Sequence, residues 1–158
     1  MASLSGVITS MLTPFTDNYD LDDETLAQEL EFQISQGVHG ICVLGGTGES
    51  LSLTADERIR VVEAATQVVK GRVPLIVGCF VPVEDEIVAF ARKVESLGAT
   101  AVMITPPPFY KHNTSQFGKL LDNLSQRFSI PLVIYNGPAR VPPNLGAEAI
   151  VGYTKTYP

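Results

Sequence analysis

The sequence contains no tryptophan and little charge. Only 18% of its 158 residues are charged and 45% are hydrophobic, a composition too apolar for a disordered chain and sufficient for a packed core. The formal net charge of -6 makes nucleic acid and anionic membrane surfaces unexpected partners. The length is that of one domain.

Long hydrophobic runs are also absent, since no apolar segment approaches the ~20 residues of a membrane helix. Residues 1–5 lack the basic start and apolar stretch of a signal peptide, so we expect a soluble, cytoplasmic protein. Cys42 and Cys79 lie within apolar runs, where we expect reduced, buried thiols. No His, Cys and Asp cluster has ligand spacing, so neither a metal nor another cofactor is implied.

Five strand-like apolar runs alternate with five amphipathic stretches. The predicted strands are 6–12, 40–44, 73–79, 101–105 and 131–135, and the predicted helices are 23–36, 55–70, 84–97, 115–127 and 146–156. In the first helix, Leu26, Leu30, Phe32 and Ile34 are expected to lie partly on one helical side, and the second begins with a capping box of Thr54 and Glu57. This order predicts a parallel α/β sheet, either open and doubly wound, as the length favours, or part of a (β/α)₈ barrel.

Residues suited to chemistry follow several of the predicted strands. After the second strand, residues 45–48 read Gly-Gly-Thr-Gly, which permits a tight bend and an anion held by Thr47 and nearby amides, or a tight turn without a ligand. Prolines 106–108 precede Tyr110 after the fourth strand, and Tyr135 and Arg140 follow the fifth. A phenol can relay protons and a guanidinium can hold a carboxylate, although a core tyrosine and a solvated arginine are the plainer interpretations.

Together with the Thr13-Pro14-Phe15 segment after the first strand, these motifs resemble the dihydrodipicolinate synthase / N-acetylneuraminate lyase family over essentially the entire chain. The resemblance implies a (β/α)₈ barrel that binds pyruvate as a Schiff base on a lysine. It implies condensation with an aldehyde, the reverse cleavage, or dehydration of a 2-keto-3-deoxy sugar acid. It also implies a homotetramer built from tight dimers.

The family's functional residues can be transferred by position. The resemblance implies that Gly46, Thr47 and Gly48 bind the keto-acid carboxylate and that Tyr135 is the general acid and base. By the same resemblance, Tyr110 reaches a neighbouring subunit's site across the tight-dimer interface, and Arg140 attracts the second substrate's carboxylate.

Two departures from the family pattern limit this transfer. The synthase members usually have a second hydroxyl residue where this chain has Gly46, which favours a sugar-acid aldolase or dehydratase, whereas residues 135–140 look more like the synthase pattern. Both specificities therefore stay open. The family's Schiff-base lysine lies on the sixth strand, and the chain stops at Pro158 after the fifth helix; Lys155 falls in that helix. We therefore expect residues 1–158 to be the N-terminal part of a single barrel domain, about five βα units, incomplete at the C-terminus.

Three functional hypotheses follow. The chain is the N-terminal part of a pyruvate-dependent Schiff-base lyase, inactive alone because the lysine is absent. Alternatively, it is a non-catalytic subunit that pairs with a full-length paralogue, or an independent α/β domain that binds a small carboxylate.

Overall fold

A computed structural model describes residues 4–107, 113–137 and 145–157. Strands and helices alternate strictly in these segments, in the order β1 (Ile8–Ser10), α1 (Asp23–Ser35), β2 (Gly40–Val43), α2 (Ala55–Val69), β3 (Leu75–Cys79), α3 (Glu84–Leu97), β4 (Ala101–Ile104), α4 (Thr114–Ser125), β5 (Leu132–Ile134) and α5 (Ala147–Thr156). One turn of 3₁₀ helix (Ser50–Ser52) precedes α2. The predicted alternation of five βα units is confirmed.

The five strands form one parallel sheet in the order β1-β2-β3-β4-β5. Each strand therefore pairs with the next one in the chain, which is the neighbour relation of a barrel and not of a doubly wound sheet with a reversal of strand order. One row of register partners runs across four strands, through Ser10, Cys42, Ile76 and Ala101. Within the described segments, β1 and β5 each have one strand neighbour.

The observed strands are shorter than predicted, at one end or at both. The second strand was expected to include Leu44, but Leu44 has a φ of 57° and so leaves the extended conformation. The fifth was expected to begin at Pro131 and to include Tyr135, whereas β5 covers Leu132–Ile134. The Leu44 side chain stays fully buried although its backbone leaves the sheet, so apolar character continues past the end of β2. Pro131 and Tyr135 flank β5 and still make backbone hydrogen bonds to β4.

The sheet separates two apolar layers. Its outer face packs against the helices in the larger cluster, which includes Ile41, Val77 and Ile104 from the strands. Its inner face carries a smaller cluster of Cys42, Ile76 and Ala101, with the partly buried Ile8, Leu4, Met103 and Val133 against it. Successive side chains of a strand point to opposite faces of the sheet, which produces this division into two layers. Because both faces are buried, the strands are continuously apolar.

The helix predictions are confirmed in most details. The Thr54 hydroxyl accepts from the Glu57 amide, and the Glu57 carboxylate accepts from the Thr54 hydroxyl and from the Thr54 amide. These two bonds to the carboxylate, that of the hydroxyl first, lower the pKa of Glu57. Leu26 and Leu30 are buried in α1, but the placement of Phe32 on the same face was wrong, since it is 55% exposed. A residue two positions after Leu30 is rotated by about 200° around the helix and so faces away from the core.

In the described segments, no helix combines the length and the apolar character that crossing a membrane requires.

Phe117 joins α4 to the core and to α5. It is fully buried, and its ring meets that of Tyr153 edge-on with centroids 5.8 Å apart. We predict that Phe117→Ala lowers the free energy of unfolding by about 3–5 kcal/mol, because a large cavity remains. Urea denaturation measures this loss. Lys119→Ala, at an exposed position of the same helix, should change stability by less than about 0.5 kcal/mol. Equal effects of the two substitutions would contradict the assignment.

The two cysteines lie on opposite faces of the sheet. Cys42 belongs to the inner cluster and Cys79 to the outer one, both are unpaired and buried, and burial raises the pKa of each thiol to about 11. We predict that both react with iodoacetamide at pH 8 far more slowly in the folded chain than in urea, since the thiolate is the nucleophile. Rapid modification of the native protein, measured by mass spectrometry, would contradict this burial.

Candidate active site

The carboxyl ends of all five strands lie at one edge of the sheet because the strands are parallel. In barrels this edge carries the catalytic residues. Two polar side chains extend the inner face here, Thr105 after β4 and Tyr135 after β5. The residue before each of them, Ile104 and Ile134, belongs to the outer layer, so the alternation of the strand directs Thr105 and Tyr135 inward.

Residues 44–49 form a tight loop immediately after β2. Leu44 and Glu49 bracket the loop with φ values of 57° and 49°, a left-handed conformation that costs a non-glycine residue about 1–2 kcal/mol. The Glu49 amide closes the turn by donating to the Gly46 carbonyl at 3.3 Å. Gly46 and Thr47 are exposed, whereas Gly48 is buried. The exposed tip of the loop is accessible to a ligand. The strained backbone at Leu44 and Glu49 must be held in place by contacts with the surrounding structure.

The first of these contacts is with β3. Leu44 turns its carbonyl directly against Gly78, where an added Cβ would collide with the carbonyl oxygen and lie 2.7 Å from the carbonyl carbon. Any side chain at residue 78 would force the loop away from the strand. Glycine at this position is thus required by the close approach of the neighbouring backbone.

The second contact comes from the segment after β1. The Thr13 hydroxyl donates to the Gly48 carbonyl at 2.7 Å, joining the β1 and β2 loops across 35 residues of sequence. From the sequence, Thr13 is only part of the Thr13-Pro14-Phe15 motif and has no predicted role of its own. Its side chain has one ordinary hydroxyl, and only the folded structure shows which carbonyl it meets.

Tyr135 stands at the opposite side of this edge, three strands away. Its amide donates to the Ile104 carbonyl at 2.7 Å, which continues the β4–β5 pairing by one residue. Its half-buried ring lies against Phe80, which follows β3, with centroids 5.7 Å apart. Phe80 therefore restricts where the phenol can move, a contact that was not predicted from the sequence.

Two further polar residues at this edge were also missed. The Thr105 hydroxyl is buried and has no hydrogen-bond partner among the described residues. Asn136 bonds twice to Leu145: its amide nitrogen donates to the Leu145 carbonyl at 2.9 Å, and its amide oxygen accepts from the Leu145 nitrogen at 3.2 Å. This pair fixes the end of β5 relative to the start of α5.

The predicted site residues have different outcomes. Gly46, Thr47 and Gly48 lie at the carboxyl end of β2 and Tyr135 lies at that of β5, so the fold brings the two groups to the same edge. Tyr110 and Arg140 lie outside the described residues. Lys155 is an exposed residue in the last turn of α5, as expected.

Over residues 4–107, 113–137 and 145–157, no group of three or more His, Cys, Asp or Glu side chains could hold a metal ion. The described polar groups of the strand-end edge include hydroxyls, a phenol, the Asn136 carboxamide and backbone amides, with the Glu49 carboxylate exposed in the loop. Hydroxyls and amides bind oxyanions, and a phenol transfers protons.

The close approach at Gly78 has a measurable consequence. We predict that Gly78→Ala lowers the free energy of unfolding by roughly 1–3 kcal/mol and displaces the loop, because the new methyl group occupies the space of the Leu44 carbonyl. Gly152→Ala is the matched control, since that helical position has open space around it and should be neutral or stabilising. Equal stability of the two variants in urea denaturation would refute the contact.

Comparison with known proteins extends this description. The family model for the dihydrodipicolinate synthetase family matches residues 3–157. A 4-hydroxy-tetrahydrodipicolinate synthase from Bartonella henselae is 33% identical over 147 residues, which are 93% of this chain and 50% of that protein. The chain spans about half the length of the curated relatives that it matches.

Solved structures agree with the sequence relatives. Dihydrodipicolinate synthase from Aquifex aeolicus superposes with a TM-score of 0.88 at 28% identity, covering 95% of this chain and 51% of that one. The chloride-inhibited enzyme from Acinetobacter baumannii, complexed with pyruvate, has a TM-score of 0.90 at 25% identity, covering 95% and 52%. With its five consecutive βα units and its match over nearly all residues, the chain belongs to the dihydrodipicolinate synthetase family.

Proposed function

We propose that the chain forms the keto-acid-binding side of a cytoplasmic class I lyase. The complete enzyme would hold pyruvate as a Schiff base on a lysine and make or break a carbon–carbon bond between pyruvate and an aldehyde, as in a 4-hydroxy-tetrahydrodipicolinate synthase. The observation that carries the proposal is the strained loop of residues 44–49, held at the carboxyl end of β2 with its tip exposed, at the same edge as Tyr135.

The loop would bind the carboxylate of the keto acid. Thr47 offers a hydroxyl and an amide, and Gly48 adds a second amide, so the group could receive several hydrogen bonds without a cationic side chain. The turn is already closed by the Glu49 amide and braced by Thr13. A ligand would therefore meet donors that are oriented in advance, which lowers the entropic cost of binding.

Tyr135 would move the protons of imine formation. When an amine adds to the ketone of pyruvate, the resulting carbinolamine must lose its hydroxyl as water, which needs a proton on the leaving oxygen. The phenol can supply that proton and recover one when the next intermediate forms. Packing against Phe80 and the backbone bond to Ile104 support this role because they limit the motion of the ring.

The amine of this reaction would come from outside the 158 residues. The four described lysines, Lys70, Lys93, Lys119 and Lys155, lie on helices or at a helix end, and none of them lies on a strand. This distribution supports the interpretation of the chain as the N-terminal part of a single barrel domain. A homotetramer made of tight dimers is part of the same proposal, with Tyr110 at the dimer interface and Arg140 at the site entrance.

A sugar-acid aldolase or dehydratase is the alternative activity. It is favoured by Gly46, which gives the exposed tip of the loop no second hydroxyl for a relay between phenols and leaves more room for a longer substrate. A non-catalytic subunit paired with a full-length paralogue would share the keto-acid loop and is distinguished by co-purification with a longer homologue.

The proposal is tested by titrating the ¹⁵N-labelled chain with pyruvate. We predict saturable shifts of the Thr47 and Gly48 amide signals, because these amides receive the carboxylate. Pyruvamide, which keeps the ketone but lacks the carboxylate, should leave them unchanged. If pyruvate moves no loop signal, the keto-acid proposal is wrong.

Borohydride trapping tests the lysine separately. After incubation with pyruvate and borohydride, the intact mass of the 17.0 kDa chain should be unchanged, since every described lysine lies on a helix or at a helix end and none on a strand. A reduced pyruvate adduct on Lys155 or another lysine of the chain would overturn the assignment of the nucleophile to a segment outside it.

A further inference from the structure

Among the described residues, the Thr13 side chain makes the one side-chain hydrogen bond that braces the far end of the loop of residues 44–49. Its near end is fixed by the Leu44 carbonyl against Gly78. At the far end, Gly48 and Glu49 share one peptide unit: its carbonyl accepts from the Thr13 hydroxyl at 2.7 Å, and its N–H donates to the Gly46 carbonyl at 3.3 Å. Thr13 thus holds the peptide that closes the turn.

Thr13 is itself held firmly on both sides. Before it, the Met11 amide donates to the Cys42 carbonyl at 2.9 Å, which extends the β1–β2 pairing past the end of β1. After it, the Pro14 carbonyl accepts from the Asp22 amide at 3.0 Å. The residue before a proline is also restricted to extended conformations. The Thr13 hydroxyl is therefore a fixed point relative to the sheet.

Gly48 is enclosed where Thr13 meets it. A Cβ at this residue would lie 3.0 Å from the Met11 carbonyl oxygen, 3.2 Å from the Leu44 nitrogen and 3.3 Å from the Thr13 hydroxyl oxygen. These contacts leave little freedom to the peptide once the hydrogen bond is present. Without the bond, the left-handed Glu49 has one fewer contact to oppose its strain.

We infer that Thr13 is the positioning residue of the keto-acid loop: its hydroxyl sets the orientation of the Gly48–Glu49 peptide and so aims the Thr47 and Gly48 amides at the bound carboxylate. This inference rests on the proposed function. Thr13 acts through the loop, and the effect of its loss is a weaker grip on the keto acid.

Isosteric variants test the role of the hydroxyl. Thr13→Val keeps the branched shape without the donor, and Thr13→Ser keeps the donor. In the amide titration with pyruvate, Thr13→Val should raise the Kd about 10-fold, the loss associated with one hydrogen bond, and Thr13→Ser should stay within about twofold of the unchanged chain. A Thr13→Val Kd equal to that of the unchanged chain would overturn the inference.

Thr16→Val separates positioning from simple loss of stability. Thr16 lies in the same β1–α1 segment, and its hydroxyl accepts only from the nearby Asn18 and Asp20 amides among the described residues. The Thr16→Val substitution should lower the midpoint of denaturation without changing the Kd for pyruvate. If Thr16→Val weakens pyruvate binding as much as Thr13→Val does, Thr13 has no special role.

Hydrogen exchange of the Glu49 amide without pyruvate gives a second readout. Thr13→Val should accelerate it, while Thr13→Ser and Thr16→Val should not; an unchanged rate in Thr13→Val would overturn the positioning of the peptide. If the unchanged chain fails to respond to pyruvate, the proposed function fails and Thr13 loses its assignment to keto-acid binding. Accelerated exchange in Thr13→Val would then still establish the brace itself.

Discussion

The site depends on a close contact between two neighbouring strands, where the backbone of Leu44 lies against Gly78. Parallel pairing of β2 and β3 sets their distance, and Gly78 lets the chain turn sharply across the adjacent strand as soon as β2 ends. The turn puts Leu44 in a left-handed conformation and starts the loop that exposes Gly46 and Thr47. The exposed tip, the buried Gly48 and the bond from Thr13 all follow from that change of direction.

Tertiary packing maintains a backbone that local preference disfavours. Two non-glycine residues with positive φ within six positions would cost a short peptide about 2–4 kcal/mol. Here β3 holds one end of the loop and Thr13 holds the other, so the cost is met by contacts with two adjacent units of the fold. A rigid loop of this kind suits a ligand that must be held in one orientation while another group attacks it.

Much of the architecture was predictable because the relevant signals are local. Continuous apolar runs predicted strands that are buried on both faces of the sheet, and the Thr54–Glu57 capping box predicted the start of α2. Strand ends were less accurate, since burial continues at Leu44 after the backbone has left the sheet. The prediction for Phe32 was wrong because it used the hydrophobicity of the residue and not its position around the helix axis.

The sequence by itself determined the family, the order of the βα units and the residues of the glycine-rich loop, because each is encoded in a contiguous segment. Only the tertiary structure decided that Thr13 bonds to Gly48, that Phe80 packs on Tyr135 and that Asn136 joins β5 to Leu145. These pairs join different parts of the chain, and one hydroxyl or amide has many possible partners until the strands fix the distances between them. The sequence gives the chemical groups of each side chain, whereas the partners of those groups depend on which residues the fold brings next to them.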